Sequence, residues 1–274
     1  MADPGLTGRV AVVTGANHGI GAAAAEALAA EGVAVLLSYL RLDPAAHAGD
    51  PSLPARYGEQ RALAADPVVQ RIRAAGGRAE AVEADLADPA TAGVLFDRAE
   101  AAFGPVQILV NNASGWLADT FLPDRRDRYG RSLRQVDADA HGRQFAVDAR
   151  APALLIAEFA RRHVARGGDW GRIIGLTSAG TRGFPEEVSY GAAKAAQESY
   201  TLSAAWELGR YGVTANMVHP PVTDTGWVTP VVAEAAIAAS PLRHVAQPAE
   251  VAEVVAFLAS HQGRYVTGQV IRMS

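Results

Sequence analysis

Short apolar runs alternate with longer alanine-rich stretches along most of this 274-residue chain. The first run, Val-Ala-Val-Val at 10–13, is apolar at every position, which is typical of a strand buried on both faces of a sheet. Similar runs predict further strands, and the longer stretches predict helices. The predicted strands span 10–13, 33–39, 79–83, 106–110, 172–177, 213–218 and 266–272, and the predicted helices span 20–30, 67–75, 90–103, 149–166, 190–211 and 250–260.

Buried strands separated by helices predict a parallel sheet with helices on both faces. Right-handed crossovers then give a doubly wound α/β Rossmann fold, whose ligands bind at the carboxyl ends of the strands. No change of composition divides the chain and no internal repeat is present. We therefore expect a single domain over residues 1–274.

Two excursions interrupt the alternation, at about 42–66 and 114–142. Loops of this length in a compact domain are usually functional or mobile, and a solvated surface insertion explains each of them equally well. The second excursion interleaves arginines with aspartates, so we expect a solvated segment that pairs its own charges rather than an anion site. The residues concerned are Pro44, Pro51, Pro54 and Gly58 in the first excursion and Arg125, Arg126, Arg128, Arg131, Arg134, Asp124, Asp127, Asp137 and Asp139 in the second.

Composition excludes several classes of protein. The net charge of 25 − 29 = −4 offers no basic excess for nucleic acid or anionic lipid. The absence of cysteine excludes a disulfide scaffold and thiol catalysis, and it fits a cytoplasmic location. No apolar run is long enough to cross a membrane or to form a signal peptide. The seven histidines lack zinc-ligand spacing, so no metal site is expected.

The first predicted strand runs directly into Thr-Gly-Ala-Asn-His-Gly-Ile-Gly at 14–21, followed by a helix. Glycines in this context permit the tight turn, the approach of backbone to a pyrophosphate and the packing of helix on strand. The amino terminus of the helix adds free N–H groups for the phosphates. This motif predicts a dinucleotide site.

The second predicted strand ends in Ser-Tyr-Leu-Arg at 38–41. Folds that prefer NAD usually place a carboxylate here for the ribose 2′-hydroxyl, whereas the 2′-phosphate of NADP requires a cation. Ser38, Arg41 and the nearby His18 favour NADP(H) over NAD(H), although Asp43 lies only two residues beyond Arg41.

Tyr190 and Lys194 lie one helical turn apart on the same predicted helix face. A lysine in this position can stabilise the phenolate of a tyrosine whose ordinary pKa is about 10. Ser178, twelve residues before Tyr190 at the end of a predicted strand, adds a hydroxyl that can hydrogen-bond a carbonyl oxygen. A hydrolase triad on Ser178 is rejected, because no Gly-x-Ser-x-Gly elbow accompanies it.

Together these motifs resemble the short-chain dehydrogenase/reductase family, including its 3-oxoacyl-carrier-protein reductase-like members, over nearly the whole chain. The resemblance rests on the glycine loop 14–21, Ala-Asp-Leu at 84–86, Asn-Asn-Ala-Ser at 111–114, Thr-Ser at 177–178, the Tyr190/Lys194 pair and Thr-Gly-Gln at 267–269. It implies an NAD(P)-dependent oxidoreductase with a small-molecule carbonyl or alcohol substrate. It also implies a homo-oligomer, a tetramer or a dimer.

Site roles follow from the resemblance position by position. Tyr190 would be the general acid or base, Lys194 would hold the ribose and stabilise the phenolate, and Ser178 would orient the substrate oxygen. Asp85 would contact the adenine, and Asn112 would lie beside the cofactor ribose. The cofactor-binding residues implied are Gly15, Asn17, His18, Gly19, Ile20, Gly21, Arg41, Asp85, Leu86, Asn112, Tyr190, Lys194, Thr223 and Thr225.

Three positions depart from the family pattern. Asp148 stands where the family usually has an asparagine that orders a proton-relay water, so we expect Asp148 to join the catalytic set and to shift the pH optimum. Pro221 replaces the glycine of a Pro-Gly pair, which puts the poses of Thr223 and Thr225 in doubt. Ser114 replaces a glycine in a segment that would face the substrate.

Three aromatic residues are expected at the mouth of the site, where they would either contact a ring-shaped or apolar substrate or pack the loops together: Trp116, Phe184 and Trp227. The sequence thus favours an NADP-dependent carbonyl reductase or secondary-alcohol dehydrogenase. Reductases of acyl-carrier thioesters and of pterins are narrower alternatives within the same family. The alternative outside catalysis is a dinucleotide-binding sensor or scaffold, which the changes at 148 and 221 keep open.

Overall fold

The computed structural model describes residues 4–43, 54–123, 126–178 and 183–274. The strands are β1 Val10–Thr14, β2 Ala34–Tyr39, β3 Arg78–Glu83, β4 Ile108–Asn111, β5 Asp119–Thr120, β6 Arg134–Gln135, β7 Gly171–Leu176, β8 Val213–His219 and β9 Val270–Arg272. The helices are α1 Gly19–Ala30, α2 Ala55–Arg61, α3 Asp66–Ala74, α4 Thr91–Phe103, α5 Ala138–Phe145, α6 Ala151–Ala165, α7 Val188–Leu208, α8 Pro230–Ala239 and α9 Pro248–Ala259. A π-helical turn, Ala146–Arg150, joins α5 to α6.

The described strands form a parallel seven-stranded sheet in the order β3-β2-β1-β4-β7-β8-β9, and β5 pairs separately with β6. This order confirms the predicted doubly wound Rossmann fold. The chain order reverses between β1 and β4, which pair in register from Ala11 with Ile108 to Val13 with Val110. A ligand crevice is expected at this reversal, beyond the carboxyl ends of the two strands.

Alternate side chains of the strands supply two apolar cores, one on each face of the sheet. Val13 and Leu37 point to the face covered by α1, α3 and α9, where Leu28 and Val255 are buried. Val12 and Leu36 point to the opposite face, covered by α4, α6 and α7. Burial on both faces explains why these strands are apolar at nearly every position.

The elements predicted from periodicity all form, with bounds shifted by a few residues at most ends. The pattern did not predict α2, α5, α8 or the β5–β6 pair, which lie mainly in the two excursions and after β8. Pro44, Pro51, Asp124 and Arg125 lie outside the described residues. No helix in the described ranges combines the length and the apolarity that a bilayer crossing requires.

Candidate active site

A cavity of about 880 Å³ opens at the carboxyl ends of β1, β4, β7 and β8. It collects most of the residues that the sequence predicted for the site. The predicted residues that line it are Gly15, Asn17, His18, Gly19, Ile20, Asp85, Leu86, Asn112, Ser178, Tyr190, Lys194, Thr223 and Thr225. Gly21, Arg41 and Asp148 do not line it.

The glycine loop is held against the end of β4. Gly15 has a φ of +64°, and a Cβ there would lie 2.8 Å from Ala113 Cα. A Cβ at Gly21 would overlap the Gly15 carbonyl and the Asn112 amide. Asn112 Nδ2 donates to the carbonyls of Thr14 and Gly15, at 2.9 and 3.0 Å. Asn112 therefore supports the loop while lining the cavity, and only glycine fits the two positions.

Ser178 follows β7 and Tyr190 lies in the first turn of α7, and both residues line the cavity. Burial raises the pKa of Tyr190 well above the ordinary tyrosine value, and the nearby carboxylates of Asp148 and Glu187 raise it further. The neighbouring hydroxyl of Ser178 opposes this rise in the pKa of Tyr190. Tyr190 is accordingly a protonated phenol at neutral pH, the form that can donate a proton.

Lys194 is buried and fully surrounded by oxygen acceptors. Its Nζ donates to the carbonyl of Leu176 and to Gln197 Oε1, both at 3.0 Å. Asp148 Oδ1 lies 3.1 Å from the same Nζ, as an ion pair that lacks the alignment of a hydrogen bond. The ammonium lies 5.8 Å from the ring centre of Tyr190. The lysine is thus held beside the tyrosine by a carboxylate.

Asp148 lies in the π-helical turn between α5 and α6 and is completely buried. Its Oδ2 accepts hydrogen bonds from the backbone N–H of Gly115, at 2.8 Å, and from Gln144 Nε2, at 2.5 Å. A turn of π-helix inside an α-helix is uncommon and frequently marks a functional position. The structure therefore places Asp148 against Lys194, although Asp148 itself does not line the cavity.

The substrate end of the cavity is built around Arg131, whose side chain is only 8% exposed. Its guanidinium donates to Asp127 and, at 2.7 Å, to Glu187 Oε1. It also lies over the rings of Trp116 and Trp227, at 5.5 and 5.7 Å from their centres. The prediction that this arginine pairs within its own segment is correct for Asp127, but the prediction that the segment is solvated is wrong here.

Aromatic side chains complete this end of the cavity. The predicted residues Trp116, Phe184 and Trp227 all line it, as does Tyr57. The Trp116 and Tyr57 rings meet edge to face at 6.3 Å, and Trp227 Nε1 donates to the Thr223 carbonyl at 3.1 Å. These rings hold the loops together, as one interpretation of the sequence predicted, and they present apolar surface to the cavity, while their contact with a ring-shaped or apolar substrate stays a prediction.

The short helix α2 brings residues to the cavity that sequence reasoning missed. Tyr57 and Arg61, four positions apart on α2, both line the cavity, and the segment just after α2 accepts a hydrogen bond from Asn17 at the Leu63 carbonyl. No pattern in the sequence indicates this helix, because prolines and a glycine interrupt the periodicity around it. Asn17 and Leu63 lie 46 positions apart in the chain, so no local pattern could indicate the contact between this region and the glycine loop.

The predicted cation Arg41 is engaged elsewhere. Its guanidinium makes a two-point ion pair with Glu83 at the end of β3, with Nη2–Oε2 at 2.8 Å and Nε–Oε1 at 3.0 Å. The Arg41 side chain is 57% exposed. His18, by contrast, faces the cavity, and burial together with the charge of Arg61 lowers its pKa to about 4. Neither predicted cation presents a free charge to the cavity.

The chain is similar to known proteins over most of its length. A family model described as enoyl-(acyl carrier protein) reductase matches residues 57–274. The 3-oxoacyl-[acyl-carrier-protein] reductase of Synechocystis sp. is 35% identical over 98% of this chain and 96% of that protein. The cis-4-hydroxycyclohexanecarboxylate dehydrogenase of Sinomonas cyclohexanicum is 36% identical over 96% of this chain and 94% of that protein.

A solved structure of a short-chain dehydrogenase from Burkholderia cenocepacia, in complex with NADP, superimposes with a TM-score of 0.79. It is 32% identical in sequence, and the match covers 98% of this chain and 97% of that one. The similarity therefore extends over nearly the whole length of both chains.

Proposed function

The chain belongs to the short-chain dehydrogenase/reductase family of oxidoreductases, and we propose that it is an NADP(H)-dependent carbonyl reductase or secondary-alcohol dehydrogenase. The observation that carries this proposal is that Ser178 and Tyr190 line the same cavity, with the buried Lys194 one helical turn from Tyr190. Two hydroxyls and a fixed ammonium at one point are the groups that carbonyl reduction requires.

The cavity fits a dinucleotide on features of its own. The glycine loop packs against Ala113 and Asn112, where no side chain would fit at Gly15 or Gly21, and its backbone lines the cavity. The buried Nδ1 of His18 in the same loop has no hydrogen-bond partner. Asp85 and the Thr223–Thr225 segment lie along the same cavity and would hold the remaining parts of the cofactor. When bound, the nicotinamide supplies or accepts the hydride.

The chain's own residues orient the substrate and handle its proton. Ser178 and Tyr190 would donate hydrogen bonds to one substrate oxygen, which fixes the carbonyl carbon against the cofactor. Tyr190, kept protonated by its raised pKa, would donate the proton in reduction. Lys194 would stabilise the phenolate that remains, and Asp148 would hold Lys194 in place.

The Tyr190→Phe variant tests this proposal directly. We expect turnover of a panel of ketones with NADPH to fall by about 10²- to 10⁴-fold, because the proton donor is lost. NADPH binding, followed by fluorescence, should stay within about twofold, since the phenyl ring keeps the packing. Tyr200→Phe, at an exposed position of the same helix α7, is the matched control and should leave both measurements unchanged.

Two outcomes would contradict the proposal. Turnover that survives in Tyr190→Phe would remove this tyrosine from the mechanism. Native protein that binds NADPH yet oxidises it with none of the ketones would favour the sensor or scaffold.

A further inference from the structure

Arg61, the last residue of α2, is a charged group in the cavity that the proposed chemistry does not use. The residue is only 7% exposed, and its Nη1 is buried without a hydrogen-bond partner. No carboxylate of the described residues lies within ion-pair distance of it, and its Cζ lies 5.3 Å from the ring centre of Tyr57, which connects it to the Trp116 end of the cavity. A buried guanidinium without a counter-charge is costly in free energy, which makes this position suited to an anionic ligand.

The position of Arg61 in the fold indicates which anion it faces. The backbone N–H of Leu42, just beyond β2, donates to the Arg61 carbonyl at 3.0 Å. Ser38 at the end of β2 and His18 in the glycine loop line the same cavity. In dinucleotide folds, the end of this strand is where the 2′ position of the adenosine ribose is recognised.

The other cations near this end cannot supply the charge that a 2′-phosphate needs. Arg41 is neutralised by Glu83 and lies outside the cavity lining. His18 has a pKa of about 4 and is a neutral imidazole at neutral pH. Arg61 alone of these three groups combines a permanent charge with a place in the cavity wall and a free donor.

We propose that Arg61 binds the 2′-phosphate of NADP(H), so that α2, a helix of the first excursion, determines the cofactor preference. The guanidinium offers paired donors that match phosphate oxygens, and a phosphate would satisfy the buried Nη1. The neutral imidazole of His18 would add a hydrogen bond rather than a charge. This inference rests on the proposed NADP(H)-dependent function and adds the residue that selects the cofactor.

The test compares cofactor affinities in Arg61→Met, which keeps the length of the side chain and removes its charge. We expect the dissociation constants of NADPH and of 2′,5′-ADP, measured by calorimetry, to rise about 10- to 100-fold, the scale of a lost charge-assisted contact. The dissociation constant of NADH should change by less than about threefold. Arg61→Lys keeps the charge and should recover part of the NADPH affinity.

Arg98→Met is the control, because Arg98 lies on α4 outside the cavity lining with a 58% exposed side chain. It should leave all three affinities unchanged. Equal losses for NADPH and NADH in Arg61→Met would place Arg61 on a phosphate that both cofactors share and would overturn the proposal, as would no loss for either. Loss of NADPH preference in Arg41→Met, with Arg61→Met unaffected, would return the role to Arg41.

These measurements also separate the inference from the proposed function. Affinities need no turnover, so native protein that prefers NADPH but reduces no ketone would contradict the reductase and leave Arg61 in place. A native protein that reduces ketones with NADPH, and whose preference for NADPH survives in Arg61→Met, would support the reductase and contradict the role of Arg61. A thermal melt of each variant shows whether a lost affinity reflects unfolding.

Discussion

The two ends of the cavity differ in how their buried cations are neutralised. At the end that holds Tyr190, Trp116 and Trp227, Lys194 is paired with Asp148, and Arg131 is paired with Asp127 and Glu187. At the glycine-loop end, Arg61 has no carboxylate partner among the described residues. A buried charge must be balanced either by the protein or by what binds to it. The first end therefore suits a neutral substrate, whereas the second end suits an anion.

Each end contains an arginine from one of the two excursions, Arg131 at one end and Arg61 at the other. The two arginines have opposite effects on the stability of the fold. Arg131 is part of a closed set of charges that holds Trp116 and Trp227 in place. Arg61 leaves a donor unsatisfied. Polar groups that raise the free energy of the folded chain are characteristic of binding sites, where the ligand completes them.

Replacing Arg131 should have the largest effect and tests the balanced end. Arg131→Met strands the buried carboxylates of Asp127 and Glu187, so we expect the free energy of unfolding to fall by about 3–5 kcal/mol in urea denaturation. Arg61→Met should change it by less than about 1 kcal/mol without cofactor, because no partner is stranded. Equal losses of unfolding free energy in Arg131→Met and Arg61→Met would show that the two arginines do not differ in how far the protein balances their charges.

The Asp148→Asn variant tests whether the carboxylate beside Lys194 also sets the proton chemistry. The charge of Asp148 helps to raise the pKa of Tyr190, so its removal lowers that pKa. Since reduction needs the protonated phenol, the rate of ketone reduction should begin to fall at a lower pH in the variant than in the native protein. The change keeps shape and one acceptor oxygen. Superimposable pH–rate curves would contradict this role.

The smallest effect is expected at Arg134, in the same excursion as Arg131. It pairs with Asp137 at 3.0 Å, with both side chains about half exposed. Arg134→Ala should change the free energy of unfolding by less than about 1 kcal/mol, because solvent screens exposed pairs. A loss comparable to that of Arg131→Met would show that burial is not what distinguishes the two arginines.

Local patterns were sufficient to predict most of the sheet and the catalytic set. Strands such as β1 and the first part of β2 are apolar on both faces, and the spacing of Tyr190 and Lys194 by one helical turn is a local property. The structure also places Asp148 against Lys194. Arg41 shows the limit of this approach, because its partner Glu83 comes from β3 and no local pattern links the two.

The sequence by itself determined the doubly wound fold, the glycine loop and the serine, tyrosine and lysine of the site, because these depend on periodicity and short spacings. Only the tertiary structure decided which charges are balanced. Arg131 meets Glu187 across 56 positions, and α2 places Arg61 against the glycine loop. Burial and charge pairing depend on neighbours distant in the chain, and these together distinguish a cation that stabilises the fold from one that awaits a ligand.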